Sequence, residues 1–332
     1  MAGDAGEVVS FLIPFHNAAP WLARSVSSAL AECGPDDEVV VVDDGSNDDG
    51  AALLPEDPRV RLISSEHRGI CGALNLGLEA CRGTLIARLD ADDLAVPGRI
   101  AAQRALLARH PEVVAVGGQA RLVNEGAEDN RGMRLYVQWV NAQRDPHREL
   151  LAESPLFHPA VTFRAEAVRA VGGYRHGPFP EDYDLWCRLV QAGGRLANVE
   201  REVLEIRDHG GRLTRRDDRY SREGFDRVRR DLLDHMLGEG PARLLIVGAG
   251  KGGRRWLRWA AERGHEVTGV VDIKPGGTRG PHRVEAIEIV KSRPFDLLLV
   301  AIGSRGGRAA VRADLQRLRP DLVEGRDWYA LL

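Results

Sequence analysis

DEVVVVDDGSNDDG, residues 37–50, joins four consecutive valines to a run of acids and turn residues. Val39, Val40, Val41 and Val42 leave no polar face, so they read as a strand buried in a sheet that helices cover. Asp43, Asp44 and Gly45 bring turn chemistry to the strand's carboxyl end. The flanking segments extend the pattern. EVVSFLIPF (7–15) is a buried strand closed by Pro14, and a helix follows from Pro20 with Trp21, Leu22, Val26 and Leu30 near one face. RVRLISSE (59–66) is a short third strand. GICGALNLGLEAC (69–81) places Ile70, Leu74, Leu78 and Cys81 at helical spacing, and GTLIARLD (83–90) is a fourth strand. Strand, helix, strand, strand, helix, strand predicts an α/β fold with a mainly parallel sheet flanked by helices. Ligands of such sheets bind outside the carboxyl ends of the strands.

Two acidic clusters stand at such ends. Asp43 and Asp44 follow the valines, and Asp90, Asp92 and Asp93 follow the apolar Leu85-Ile86-Ala87 run. Carboxylates crowded at the end of a buried strand repel one another and resist leaving water. A hard divalent cation, Mg2+ or Mn2+, offsets that repulsion; it takes oxygen ligands, commonly one or two carboxylates plus substrate phosphates. Turn-capping aspartates in solvent would explain either cluster alone. Both in one sheet favour a site.

From residue 112 the pattern changes. EVVAVGGQARLV (112–123) reads as a strand, and 124–150 as polar and irregular. HPAVTFRAEAVRAVGGY (158–174) reads as a strand and a short helix. EDYDLWCRLVQAGG (181–194) is a helix with an acidic first turn, apolar Leu185, Trp186 and Leu189, and terminal glycines. A charged helix is predicted over 221–237, and the domain boundary is placed after it, giving domains 1–238 and 239–332.

VSFLIPFHN (9–17), EVVVVDDGSNDD (38–49), HRGICGALNLG (67–77), LIARLDADDLAVPGRI (85–100) and PEDYDLWCRL (180–189) occur in an order and spacing that resembles the family 2 glycosyltransferases of GT-A fold, over residues 7–215. The resemblance implies that Pro14, Phe15, His16 and Asn17 line a pocket for the donor's base. It implies that Asp44, with Asp43 beside it, accepts a hydrogen bond from that base; an imide N–H, as in uracil, suits a carboxylate acceptor. Arg68 would lie near the base or diphosphate. Leu74 stands where many members carry an arginine, so no donor contact is assigned there or to Asn75. Asp90-Ala91-Asp92 matches the family's DXD motif, which implies Asp90 near the ribose and Asp92 on a cation that bridges the diphosphate. Asp93 would support it, and His209 would join Asp90 and Asp92 as a metal ligand. Asp182 is implied as the catalytic base, with Glu181 beside it and Asp184 pointing elsewhere. A carboxylate at a helix N-terminus is expected to be held ionised. His158 reads equally as a sugar contact and as a structural histidine. Arg212, Arg215 and Arg216 would either close over the diphosphate or form a solvated charge run.

A second α/β pattern starts at ARLLIVGAGKGGRRWLRWAAERGHEVTGVVD (242–272) and continues in FDLLLVAIGSRGG (295–307). Gly248, Gly250 and Gly253 follow a strand and open a helix, and Asp272 ends the next strand, the pattern of a dinucleotide site. This part resembles the small Rossmann-like domain of bacterial sugar acetyltransferases, which binds a nucleotide sugar. Nucleotide binding and a purely structural or oligomerising role both remain open for it.

The 332 residues carry a net charge of −3, 43% hydrophobic and 29% charged residues, an ordinary composition with no argument for nucleic acid or an anionic membrane. No signal peptide or membrane-spanning stretch is visible, and the four scattered cysteines fit buried thiols in a reducing cytoplasm. The expectation is therefore a cytoplasmic, metal-dependent, inverting glycosyltransferase. Its donor would be a nucleotide-sugar, UDP-linked, and its acceptor a hydroxyl of a saccharide, a lipid-linked glycan or a small natural product. Peripheral membrane contact and a homo-oligomer stay compatible with it. The alternatives are a nucleotidyltransferase, which would favour a Gly-rich phosphate loop where PFHNAAPW stands, and a non-catalytic nucleotide-sugar sensor or scaffold.

Overall fold

The computed structural model describes residues 7–124, 131–212, 217–303 and 306–331. They form two compact units, Met1–Pro146 with Pro155–Phe225, and His147–Ser154 with Asp226–Leu332. Arg215 and Arg216 lie outside the described residues.

In the first unit the strands are β1 (Val9–Phe15), β2 (Glu38–Asp44), β3 (Val60–Ser65), β4 (Leu85–Arg88), β5 (Leu94–Ala95), β6 (Val113–Asn124), β7 (Thr162–Arg164) and β8 (Arg195–Asp208). Its helices are α1 (Leu22–Leu30), α2 (Gly69–Ala80), α3 (Arg99–Arg109), α4 (Arg131–Asn141), α5 (Ala165–Ala170) and α6 (Glu181–Gln191). The eight strands make one sheet in the order β3-β2-β1-β4-β7-β6-β8-β5. β3, β2, β1 and β4 run parallel. Beyond β4 the sheet is mixed: β7 is antiparallel to both neighbours, β6 and β8 are parallel, and β5 is antiparallel to β8. All seven residues of β1 are buried, as are the four valines of β2, which matches their unbroken apolar runs.

α2 packs closely on this sheet because Gly77 has no side chain. A Cβ there would lie 2.1 Å from Leu12 Cδ1 and 2.9 Å from Val42 Cγ2. The strand order reverses between β1 and β4, and their carboxyl ends diverge there into a crevice.

Two elements depart from the expected pattern. Residues 131–141, read from sequence as irregular, form α4, which buries Val137 and Val140. Met133, Tyr136, Val137 and Val140 stand at i, i+3, i+4 and i+7, the spacing of one helix face. β8 was also not predicted, because Glu200, Arg201 and Glu202 interrupt its apolar alternation; all three are exposed.

In the second unit, α7 (Arg222–Leu237) is followed by β9 (Arg243–Val247), α8 (Lys251–Glu262), β10 (Glu266–Val271), β11 (Thr278–Arg279), β12 (His282–Glu285), β13 (Leu297–Val300), α9 (Gly307–Leu318) and β14 (Trp328–Ala330). The sheet order is β11-β12-β10-β9-β13-β14, and the pairs from β12 to β14 are parallel. The units divide between Phe225 and Asp226, whereas the sequence placed the boundary after residue 238. The reason is that α7 packs with the second unit: Val228, Leu232 and Leu233 are buried, and Arg229 donates to the carbonyls of Leu151 and Ala152 at 2.9 and 2.7 Å. Glu149, also in the 147–154 segment, is buried and pairs with Arg312 at 2.5 Å.

Cys71, Cys81 and Cys187 are buried and Cys33 is half-buried, and no disulfide joins them. Among the described residues, no helix is long and apolar enough to cross a membrane.

Candidate active site

A cavity of about 580 Å³ opens at the crevice of the first unit. The end of β1 and the turn after it contribute Pro14, Phe15, His16 and Asn17, the end of β4 contributes Arg88, and the segment after β4 contributes Asp90, Ala91 and Asp92. Glu181 and Asp182 reach it from the first turn of α6, and His209, Gly211 and Arg212 from the segment after β8. Ile70, Met133, Tyr136 and Phe157 form an apolar wall. Every residue of this list belongs to the first unit.

The turn after β1 is locked to the turn after β2. Asn17 takes a left-handed backbone, φ 54°, which asparagine tolerates better than most residues. Its N–H donates to Ser46 Oγ at 2.9 Å, and its Oδ1 accepts from the Asn47 N–H at 2.8 Å. His16 Nδ1 lies 2.9 Å from the Asp44 carbonyl and Nε2 lies 3.0 Å from Asn17 Nδ2. These partners assign the proton to Nδ1. Gly45 completes the turn at φ +71°, where a Cβ would stand 2.8 Å from the His67 nitrogen.

The same turn absorbs the first acidic cluster. Asp43 Oδ1 accepts from the Ser46 N–H at 2.9 Å. Asp44 is buried; its Oδ1 accepts from the Arg68 N–H at 2.6 Å and its Oδ2 lies 3.0 Å from His67 Nδ1. Arg68 itself is exposed. None of Asp43, Asp44 and Arg68 lines the cavity, unlike Pro14, Phe15, His16 and Asn17. Asp43 and Asp44 sit at the end of β2, one strand away from the β1/β4 reversal, and Arg68 stands just before α2.

Two members of the second cluster, Asp90 and Asp92, face the cavity. Oxygens of Asp90, Asp92 and Asp93 lie within 4.8 Å of one another. Arg88, nearly fully buried, pairs with Asp90, and its Nε has no hydrogen-bond partner among the described residues. Asp92 Oδ2 is 2.7 Å from His209 Nε2. The His209 ring stacks on Trp21 with centroids 4.4 Å apart, and its Nδ1 accepts from the Gly211 N–H at 3.2 Å. That leaves Nε2 as the donor to Asp92. Burial opposes the charge on Asp92, but the His209 hydrogen bond and the Arg212 charge hold its carboxyl below the usual range. Asp93 is fully buried; its Oδ1 accepts from the Arg207 N–H at 3.0 Å and from Arg212 Nη1 at 2.9 Å. Burial, with the neighbouring charges of Asp92 and Asp90, pushes its carboxyl up to about 7 against the pull of Arg212.

The donor set is all hard oxygen, and a guanidinium already stands in as its counter-cation; both fit a divalent metal. The sequence named Asp90, Asp92 and His209 for that metal. The three carboxylates are grouped, and His209 Nε2 rests on Asp92.

Glu181 and Asp182 open α6 after Pro180. Glu181 is buried; both its oxygens accept from Tyr220 Oη at 2.9 Å, and Arg219 Nη1 stands 3.5 Å away. Burial raises its carboxyl even so. Burial, reinforced by the Glu181 charge, also pushes Asp182 up to about 7, outweighing the helix-terminal N–H groups and Arg88. The sequence expected that terminus to hold Asp182 ionised; desolvation is the stronger effect. Asp184 turns away to Arg175 and Arg188. His158 lines the cavity, and its Nε2 is 2.9 Å from Tyr174 Oη. Burial first, then Arg88, keep the imidazole neutral well below its usual pKa. Asn75 clamps the Tyr174 backbone through two 2.8 Å hydrogen bonds and does not line the cavity.

Sequence reasoning missed Arg88, Tyr136, Phe157 and Tyr220 as lining residues and read Trp21 only as part of a helix face. Arg88 was visible as the one charge inside Leu85–Leu89. Arg212 is no solvated charge: its side chain is only 10% exposed.

In the second unit, Gly253 is required by packing, since a Cβ there would fall 1.6 Å from the Gly248 carbonyl oxygen. Gly248 takes φ +111°, and Gly250 has open space beside it. Asp272 Oδ2 accepts from the Ala249 N–H of the loop at 2.7 Å and Oδ1 from the Lys274 N–H after β10 at 3.2 Å, so backbone N–H groups engage both oxygens.

Residues 10–172 match Glycosyl transferase family 2. The amylovoran biosynthesis glycosyltransferase AmsE of Erwinia amylovora is 32% identical over 179 residues, 52% of this chain and 64% of that relative's length. The crystal structure of S. aureus TarS 1-349 in complex with UDP-GlcNAc aligns with TM-score 0.53 and 16% identity over 70% of this chain and 67% of its own. The mannosyltransferase PcManGT from Pyrobaculum calidifontis, in complex with GDP-Man and Mn2+, aligns with TM-score 0.53 and 18% identity over 95% of this chain and 81% of its own. At these identities the two structures speak for the fold, which is α/β of GT-A type followed by a smaller α/β unit.

Proposed function

We propose that this chain, whose residues 10–172 match Glycosyl transferase family 2, moves a sugar from a nucleoside-diphosphate donor to an acceptor hydroxyl with inversion at the anomeric carbon. The observation that carries this reading is the single cavity shared by Asp90, Asp92 and Asp182, with the β1 turn at one side. The donor's base is placed against Pro14, Phe15, His16 and Asn17. UDP remains the preferred nucleotide; Asp44 accepts from the Arg68 N–H and does not line the cavity, so base selection falls to the His16–Asn17 turn. Asp90 and Asp92 would hold Mn2+ or Mg2+ against the diphosphate, with Asp93 behind them. When bound, the cation supplies charge stabilisation to the departing nucleoside diphosphate.

Asp182 takes the proton of the acceptor O–H as that oxygen bonds to the anomeric carbon. The bond from that carbon to the diphosphate oxygen breaks, and its electron pair leaves with the diphosphate. One displacement with one base inverts the centre. A carboxyl near pKa 7 is poised to accept a proton at neutral pH. Neutral His158 and the apolar wall of Met133, Tyr136 and Phe157 suit the face of a saccharide acceptor, free or lipid-linked. In the second unit, the engagement of Asp272 by backbone N–H groups supports a structural role over a nucleotide site.

The testing experiment is release of nucleoside diphosphate from a panel of UDP- and GDP-sugars. Wild type should release it in Mn2+, EDTA should suppress it, and Asp92→Ala should abolish it. Release unaffected by EDTA would remove the metal from this reading.

A further inference from the structure

The guanidinium of Arg212 lies across all three carboxylates of the second acidic cluster. Nη1 donates to Asp93 Oδ1 at 2.9 Å and stands 3.6 Å from Asp92 Oδ2; Nη2 donates to Asp90 Oδ2 at 3.3 Å and to Asp93 Oδ2 at 3.4 Å. Nη1 also donates to the Arg207 carbonyl at 2.8 Å, which anchors the side chain to the end of β8. We propose that Arg212 is a built-in counter-cation that closes this cluster to divalent metal until a diphosphate draws it away.

The inference rests on the metal-assisted reading above and concerns a residue that reading does not use. Arg212 stands against the Oδ2 atoms of Asp90 and Asp92, so a metal held by these carboxylates meets a guanidinium beside it, positive charge against positive charge. Arg212 lines the cavity, so it can be reached from the donor side. A diphosphate offers a guanidinium the same planar, two-point anionic partner that the carboxylates do. Moving Arg212 from carboxylate to phosphate frees the metal's oxygens as the donor arrives. Metal and nucleotide then favour each other's binding, and the coupling is reciprocal. A merely structural Arg212 would do the reverse: its removal would loosen the end of β8 and weaken the metal.

The test is Mn2+ binding, read from the EPR signal of free Mn2+ at one fixed pH, with and without UDP or GDP. Arg212→Gln should bind Mn2+ without nucleotide roughly fivefold or more tightly than wild type, and nucleotide should improve its affinity less than it improves wild type's. Unchanged or weaker Mn2+ affinity in Arg212→Gln overturns the role of Arg212 while leaving the metal reading intact. If that variant does not fold, Arg212→Lys decides: a single-point ammonium spans fewer of the oxygens, so it should bind free Mn2+ more tightly than wild type, and equal affinity overturns the proposal. Failure of wild type and variants alike to bind Mn2+ even with nucleotide overturns both the proposal and the metal reading.

Discussion

Asp182 is asked to be a base, and its environment fixes the pH at which it can serve. Burial and the Glu181 charge bring its carboxyl to about 7. Below that pH the carboxyl is protonated and cannot take the acceptor's proton; above it the base is ready. The pH profile of kcat/KM should therefore rise with unit slope through the acid side and level off above about pH 7. A flat profile from pH 5.5 (roughly a unit and a half lower) to 8 would remove Asp182 from the role. Asp182→Asn should cost about 10²–10⁴-fold in turnover, with the melting-temperature rise given by nucleoside diphosphate and Mn2+ unchanged. Asp182 and Asp92 were legible in the sequence because each opens or closes an element whose pattern is unambiguous. The pairing of Arg212 with the carboxylates was not, because its partners lie more than a hundred positions away, at Asp90 and Asp93. Asp44 stands at a motif position, and in the structure its Oδ1 accepts from the Arg68 N–H while its side chain does not line the cavity.

At the scale of elements, apolar continuity made β1, β2 and β4 readable, while α4 and β8 were hidden by their charged residues. Those two elements supply Met133 and Tyr136, and the strand end before His209, so this part of the cavity was the less legible one. The seating of α2 makes a sharp prediction. Gly77→Val would drive its side chain into Leu12 and Val42, an overpacking that costs about 1–3 kcal/mol. The urea midpoint should fall with no change in slope, and an unaltered midpoint would contradict the packing described. Asn75→Ala should cost a comparable amount, about 1–3 kcal/mol, because it strips both hydrogen bonds from the buried Tyr174 backbone.

For the whole molecule, the central claim is a division of labour: the first unit binds the donor and carries the chemistry, and the second contributes structure. Asp272→Asn should therefore lower the melting temperature, since it removes an acceptor from the Gly248–Gly253 loop, yet leave the shift produced by nucleoside diphosphate and Mn2+ as large as in wild type. Loss of that shift would return a nucleotide site to the second unit. Sequence alone anticipated two α/β units and placed their boundary after residue 238, whereas the contacts divide them between Phe225 and Asp226; the strongly charged surface of α7 conceals which unit its buried Val228, Leu232 and Leu233 serve. The most direct test of the central claim is nucleoside diphosphate release from UDP- and GDP-sugars in Mn2+, comparing wild type with Asp92→Asn. Release by wild type that falls about a hundredfold or more in Asp92→Asn is the predicted result; equal release by the two proteins, or none from any sugar donor, would contradict it.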